Sequence, residues 1–124
     1  MNSGSYQLYI RINKQIKLRI GALGSFIFPE GSYVYTGSAM KNLLQRVERH
    51  KSKTNKKNRW HIDYLLASPD VEIFEVKIYE SRQRKECYHN QKLLRKKGTF
   101  IPVPGFGSSD CRDCPAHLVW IRND

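Results

Sequence analysis

The sequence predicts an α+β domain, a small and mostly antiparallel sheet flanked by three helices. Apolar residues alternate at Tyr6, Leu8, Ile10 and Ile12, and again at Ile16, Leu18 and Ile20, the period of half-buried strands. Further along, Leu43, Leu44 and Val47 fall on one helical stripe. Strands come first and helices are interleaved later, in the order β-β-β-α-α-β-α-β, with no internal repeat and no linker. At 124 residues the chain suits one domain spanning 1–124. A chain of this size buries roughly two-thirds of its unfolded surface without needing disulfides.

Each element has its own signal. The alternating runs on either side of "NKQ" read as a hairpin with one buried face. "GALGSFIFPEGS" reads as a glycine-rich excursion with an apolar insert from Phe26 to Phe28, and "YVYTG" as the next strand. Ser38 or the turn after it is positioned to cap a helix that runs to about Ser52. "KSKTNKKN" is a polar, basic loop, and "RWHIDYLLAS" is a short buried helix stopped before Pro69. "VEIFEVKIYE" is a strand whose apolar parity shifts between Ile73 and Phe74, as a bulge or a late strand start would cause. A third helix runs from about Arg82 to Lys97 and ends at Gly98. "IPVPGFGSSDCRDCP" is loop, and "HLVWIR" is a closing edge strand.

Charge narrows the function. Lys and Arg number 22 against 11 acidic residues, a net +11 with a pI near 9.8. Fifteen of those cations lie in two segments, eight between Lys41 and Arg59 and seven between Arg82 and Lys97. Such clustering points to a polyanion, hence a nucleic acid. No apolar run approaches 18 residues, so no membrane span is expected. Neither basic segment carries a broad apolar face, which argues against a membrane surface. "MNSGSYQLYI" lacks the pattern of a secretory signal, and three cysteines fit reduced thiols in a cytoplasmic protein.

Candidate functional residues cluster around the first helix. Arg46, Arg49 and His50 share one side of it, bordering Leu43 and Val47. A guanidinium there can fork onto two phosphate oxygens, and an imidazole can hydrogen-bond an oxygen or carry a proton. Gly37 and Ser38, in a turn before the helix, could offer backbone N–H groups to an anion. Lys53, Lys56, Lys57 and Arg59 extend the cationic surface. Tyr6, Tyr33 and Tyr35 lie on strands, where a phenol can point into a cleft or simply pack. Glu86 is the one acid in the third helix's basic segment, and such a carboxylate suits a hard divalent cation or a salt bridge to Arg82. His61 reads as a core histidine. Cys111, Cys114 and His117 could bind Zn2+, with Cys87 or His89 as a fourth ligand, although reduced thiols packed in a loop fit the spacing better.

Taken together, these residues resemble the GIY-YIG nuclease superfamily. "GSY" at Gly4 to Tyr6 looks like the first signature triplet, with Ser5 in place of isoleucine, and "YTG" at Tyr35 to Gly37 looks like the second. "RVERH" resembles the arginine-bearing segment of the family's first helix, and Glu86 falls where the family has its metal-binding glutamate. "YVYTGSA", "RWHIDYLL" and "PVPGFGSSDC" resemble an uncharacterised prokaryotic branch of that clan, sometimes fused to a base-excision DNA glycosylase. The likeness runs from about Tyr6 to Trp120, with a longer spacing between the two triplets than in typical members. It implies a metal-dependent endonuclease acting on DNA, with a role in repair, and one Mg2+ or Mn2+ ion. Glu86 would ligate the metal, and Arg46 would stabilise transition-state charge. Tyr6, Tyr35 or His50 would orient or deprotonate the attacking water, with Arg46 lowering a phenol's pKa. The competing expectations are a non-catalytic nucleic-acid-binding module on the same fold and a zinc-stabilised interaction domain.

Overall fold

The computed structural model describes residues 2–52, 60–107, 114 and 116–121. The architecture is α+β. Strands β1 (Gly4–Ile12), β4 (Gly31–Ala39), β5 (Val71–Glu80) and β6 (Leu118–Ile121) form an antiparallel sheet in the order β5-β1-β4-β6. Strands β2 (Ile16–Arg19) and β3 (Ser25–Phe28) form a separate ribbon. The helices are α1 (Leu43–Lys51), α2 (His61–Leu66) and α3 (Glu86–Leu94).

The hairpin expected between β1 and β2 does not form. β1 is the centre of the sheet, laddered to β4 on one side and β5 on the other, while β2 pairs with the Phe26–Phe28 insert. Alternation specifies a buried face, not which strand lies alongside. A central strand explains why nearly every side chain of β1 and β4 is buried. The shift in β5 is a bulge: the register skips Phe74, with Tyr9 opposite Glu75 and Ile10 opposite Ile73. The extra residue puts Phe74 in solvent against the edge of Tyr9.

One sheet face carries Tyr6, Leu8, Ile10 and Ile12 of β1 with Tyr33 and Tyr35 of β4. Leu43 and Val47 of α1, Ile62, Leu65 and Leu66 of α2, and Phe28 and Phe106 complete this core. Fully burying each of Leu8, Ile10 and Ile12 contributes about 1.5–3 kcal/mol. The third position of the α1 stripe is His50, since Leu44 is exposed. The opposite face carries Gln7, Thr36 and Tyr79, and His89 of α3 stacks on Tyr79 at 4.0 Å. α3 buries little: Leu93 and Asn90 are its only buried side chains.

Helix α1 starts later than expected because β4 runs on through Ser38 and Ala39. Asn42 turns the chain in the left-handed region (φ 57°), which its short amide side chain tolerates. Ser38 is therefore not the cap. Asn2 takes that role, its backbone carbonyl accepting from Leu43 N and its side-chain oxygen from Leu44 N. α3 is also shorter than expected, beginning at Glu86 and ending at Leu94, with Gly98 (φ 82°) closing the turns that follow.

Candidate active site

Pairing β1 with β4 sets Tyr6 directly opposite Gly37. The phenol ring lies across the glycine: a Cβ on Gly37 would stand 2.6 Å from Tyr6 Oη. Next to it, Tyr35 contacts Tyr6 with ring centroids 6.5 Å apart and is backed by Phe106. Tyr33, two residues earlier on the same face, is wholly buried and donates to the Pro29 carbonyl, so it is a packing residue. We expect Gly37→Ala to destabilise the fold by about 1–3 kcal/mol through overpacking, read by urea denaturation. It would also shift Tyr6 off its hydrogen bond.

Tyr6, Tyr35, Gly37, Ser38, Arg46 and Glu86 line one cavity of about 140 Å3, together with Trp60, Arg84, Gly107 and His117. The guanidinium on the first helix and the carboxylate on the last thus face the same space. Arg46 is held from two sides. Its Nη1 donates to the Ser38 carbonyl at 2.8 Å, and its Cζ lies 4.7 Å from the centre of the Trp60 ring. Glu86 is half-buried and its carboxylate makes no hydrogen bond or ion pair among the described residues, so the salt bridge to Arg82 is not formed. A single hard oxygen donor of this kind fits Mg2+ or Mn2+, which keep most of their waters.

His50 stands behind this wall. Its Nε2 and the Tyr6 hydroxyl are 2.8 Å apart, and its Nδ1 lies 3.9 Å from Asp63 Oδ1. Asp63 is fully buried at the third position of α2, where it accepts from Trp60 N at 2.9 Å. Arg49 forks onto it at 2.8 and 3.1 Å, and its Cζ also lies 4.7 Å from the Trp60 ring centre. The guanidinium expected to reach for phosphate is therefore committed to a buried carboxylate. Trp60 therefore packs against two guanidinium groups, contacts beyond the packing role its sequence neighbourhood suggests.

Burial raises both phenols. Tyr6 is pushed well above its ordinary value by desolvation, which outweighs the lowering by the charge and hydrogen bond of Arg46. Tyr35 is raised by burial and further by Tyr6. The expectation that Arg46 would make a phenol basic is thus corrected: both tyrosines are neutral hydrogen-bonding groups at physiological pH. Gly37 and Ser38 belong to a paired strand and not to the helix-opening turn expected, and they line the cavity from that strand. His61 is partly buried and accepts from Gly107 N at 2.9 Å, fastening the 101–107 loop, and burial lowers its pKa. Lys53, Lys56, Lys57, Arg59 and Cys111 lie outside the described residues.

A larger hollow of about 630 Å3 lies between α1, α2 and β5, lined by Lys51, Leu66, Phe74 and the far side of His50. Its rim carries Glu72 and Glu75. That acidity disfavours a phosphate, so chemistry points to the smaller, cationic cavity.

A second donor group adjoins that cavity. Cys87, Cys114 and His117 each offer one atom, all within 4.8 Å of one another, and could hold a metal ion. Cys87, named as one possible fourth ligand, belongs to the group, while His89, the other, is stacked away on Tyr79. Cys87 is disulfide-bonded, which corrects the expectation of three reduced thiols. His117 is almost fully buried, and burial lowers its pKa despite the opposing charge of Glu86.

Compared with known proteins, the chain matches no curated protein and no solved structure. A family model does match, over residues 5–124, nearly its whole length. The chain belongs to that family, described as the domain of unknown function DUF123.

Proposed function

We propose that this protein is a metal-dependent endonuclease of GIY-YIG type that hydrolyses phosphodiester bonds in DNA. One observation carries the reading: Tyr6, Tyr35, Arg46 and Glu86, drawn from four separate elements, share one small cavity with a net cationic lining. The charge of the whole chain, +11, suits a polyanionic substrate. Cleavage in repair and residence in the cytoplasm are part of the same proposal.

Glu86 would hold one Mg2+ or Mn2+, which supplies Lewis-acid stabilisation of the phosphate and leaving oxygen. The chain's own groups do the rest. Arg46, pinned by Ser38 and Trp60, presents a preorganised cation to charge that builds on the non-bridging phosphate oxygens. The neutral Tyr6 hydroxyl donates to His50 Nε2 when Nδ1 carries the proton and faces Asp63. In that state the phenol oxygen, which also accepts from Arg46, keeps a second lone pair for a hydrogen of the attacking water. His50, reached through Tyr6, is the proton acceptor of this relay. Tyr35 narrows the space and orients the phosphate through its hydroxyl.

The test is cleavage of plasmid or branched DNA with Mg2+ or Mn2+. Turnover that is abolished by Glu86→Gln, with folding intact, supports the enzyme. Binding that weakens steeply with salt but yields no products from any substrate or metal would identify a non-catalytic module instead.

A further inference from the structure

We infer that the reduced chain binds one zinc ion through Cys87, Cys114 and His117, and that the ion clamps the start of α3 to the segment leading into β6. The inference stands apart from the nuclease reading, because it uses different donors and needs no nucleic acid.

One donor separation is already that of a tetrahedral site, and the others are within reach of it. Zinc–sulfur and zinc–nitrogen bonds of about 2.3 and 2.0–2.1 Å place two such ligands roughly 3.6 Å apart across a tetrahedral angle. Cys87 Sγ and His117 Nε2 are 3.5 Å apart. Cys114 Sγ lies within 4.8 Å of both and 3.8 Å from the Cys87 carbonyl. Two sulfurs and an imidazole nitrogen are soft and borderline donors, which select zinc over magnesium or calcium. Cys114 and His117 are buried and Cys87 is half-buried, so the ion would be largely enclosed, with a water as its fourth ligand.

The surroundings give the ion something to do. α3 has little apolar surface to dock with, since Leu93 is its one buried apolar side chain. Polar contacts hold it instead: Asn90 Nδ2 donates to the Ala116 carbonyl at 2.6 Å, beside the donor group. His117 is itself anchored, its backbone N–H donating to Phe106 O and its carbonyl accepting from Thr36 N. A metal bridging Cys87 to Cys114 and His117 would join the first turn of a weakly packed helix to a rigid strand. Glu86, one residue before Cys87, would be held by the same clamp.

Binding requires the thiolate of Cys87, which is disulfide-bonded here. A phosphine reductant opens the bond: the disulfide gains two electrons and two protons to give two thiols, and the phosphine becomes its oxide with oxygen taken from water. Zinc then displaces the thiol protons of Cys87 and Cys114.

The experiment uses the full chain, purified with and without phosphine, with bound zinc measured by mass spectrometry and Co2+ used as a spectroscopic probe. Reduced protein is expected to retain about one zinc per chain. With Co2+ it should give a sulfur-to-cobalt charge-transfer band and the intense visible bands of a tetrahedral site. Oxidised protein should show neither. Cys114→Ser and His117→Asn should each weaken zinc binding at least about 100-fold. If Cys114→Ser fails to fold, His117→Asn and the cobalt spectrum of the unaltered chain still decide the matter. Zinc should also slow amide exchange across Glu86–Leu94. Reduced protein that holds no zinc and gives only the weak spectrum of oxygen-ligated cobalt overturns the inference. So does zinc affinity that is unchanged in both variants.

Discussion

Arg46→Ala is expected to slow metal-dependent DNA cleavage by about 10²–10³-fold, the loss typical of removing one preorganised donor from a developing oxyanion. The geometry explains why the effect should appear in the chemical step. Arg46 is not drawn into place by substrate; Ser38 and the Trp60 ring already hold it over the cavity. Little reorganisation is left to be made when charge builds on the phosphate. Arg46→Lys should recover only a small part of the rate, because an ammonium can neither fork onto two oxygens nor lie flat on an indole. Single-turnover cleavage at saturating DNA isolates the step. Equal rates for the unaltered and Ala chains would remove Arg46 from the chemistry. A loss confined to DNA affinity, with a salt slope shallower by about one, would make it a phosphate contact only.

The sequence and the structure diverge where information is non-local. β4, β5, α2 and β6 are legible because each carries a local signal of composition, alternation or a stop residue, and the bulge at Phe74 is written in the parity of β5 alone. The partner of β1 is not legible, since Ile10 alternates identically whether it pairs with β2 or, as it does, with Tyr33 and Ile73. The candidate site divides the same way. Tyr6, Tyr35, Arg46, His50 and Glu86 all carry a signal in the sequence, and four of them reach one cavity. His50 is the exception, acting from behind through Tyr6. In the sequence Trp60 reads only as packing, and Asp63 stands there without a role. One signal for Asp63 exists: an acid three residues after the residue preceding a helix is positioned to accept that residue's backbone N–H. Nothing local could show that Arg49, fourteen residues earlier, would close the fork.

That fork makes the second large prediction. Asp63 has no solvent exposure, and Arg49 Nη1 and Nη2 supply two of the donors that make its charge tolerable there. Arg49→Ala is therefore expected to cost about 3 kcal/mol, the low end for stranding a buried charge because Arg49 itself keeps some contact with water. For a domain of this size that corresponds to a fall in Tm of roughly 12 °C. The stranded carboxylate sets this cost more than the missing guanidinium does, so the test must vary both partners. Asp63→Asn in the Arg49→Ala background removes the stranded charge and should restore part of the stability, giving a clear coupling in a double-mutant cycle. Urea unfolding with an unchanged m-value would read it cleanly. The same change should reach the cavity, because Asp63 Oδ1 faces the imidazole whose other nitrogen meets Tyr6. A destabilisation below about 1 kcal/mol, or strictly additive variants, would mean that Asp63 is neutralised by other means and that Arg49 is only a surface cation resting on Trp60.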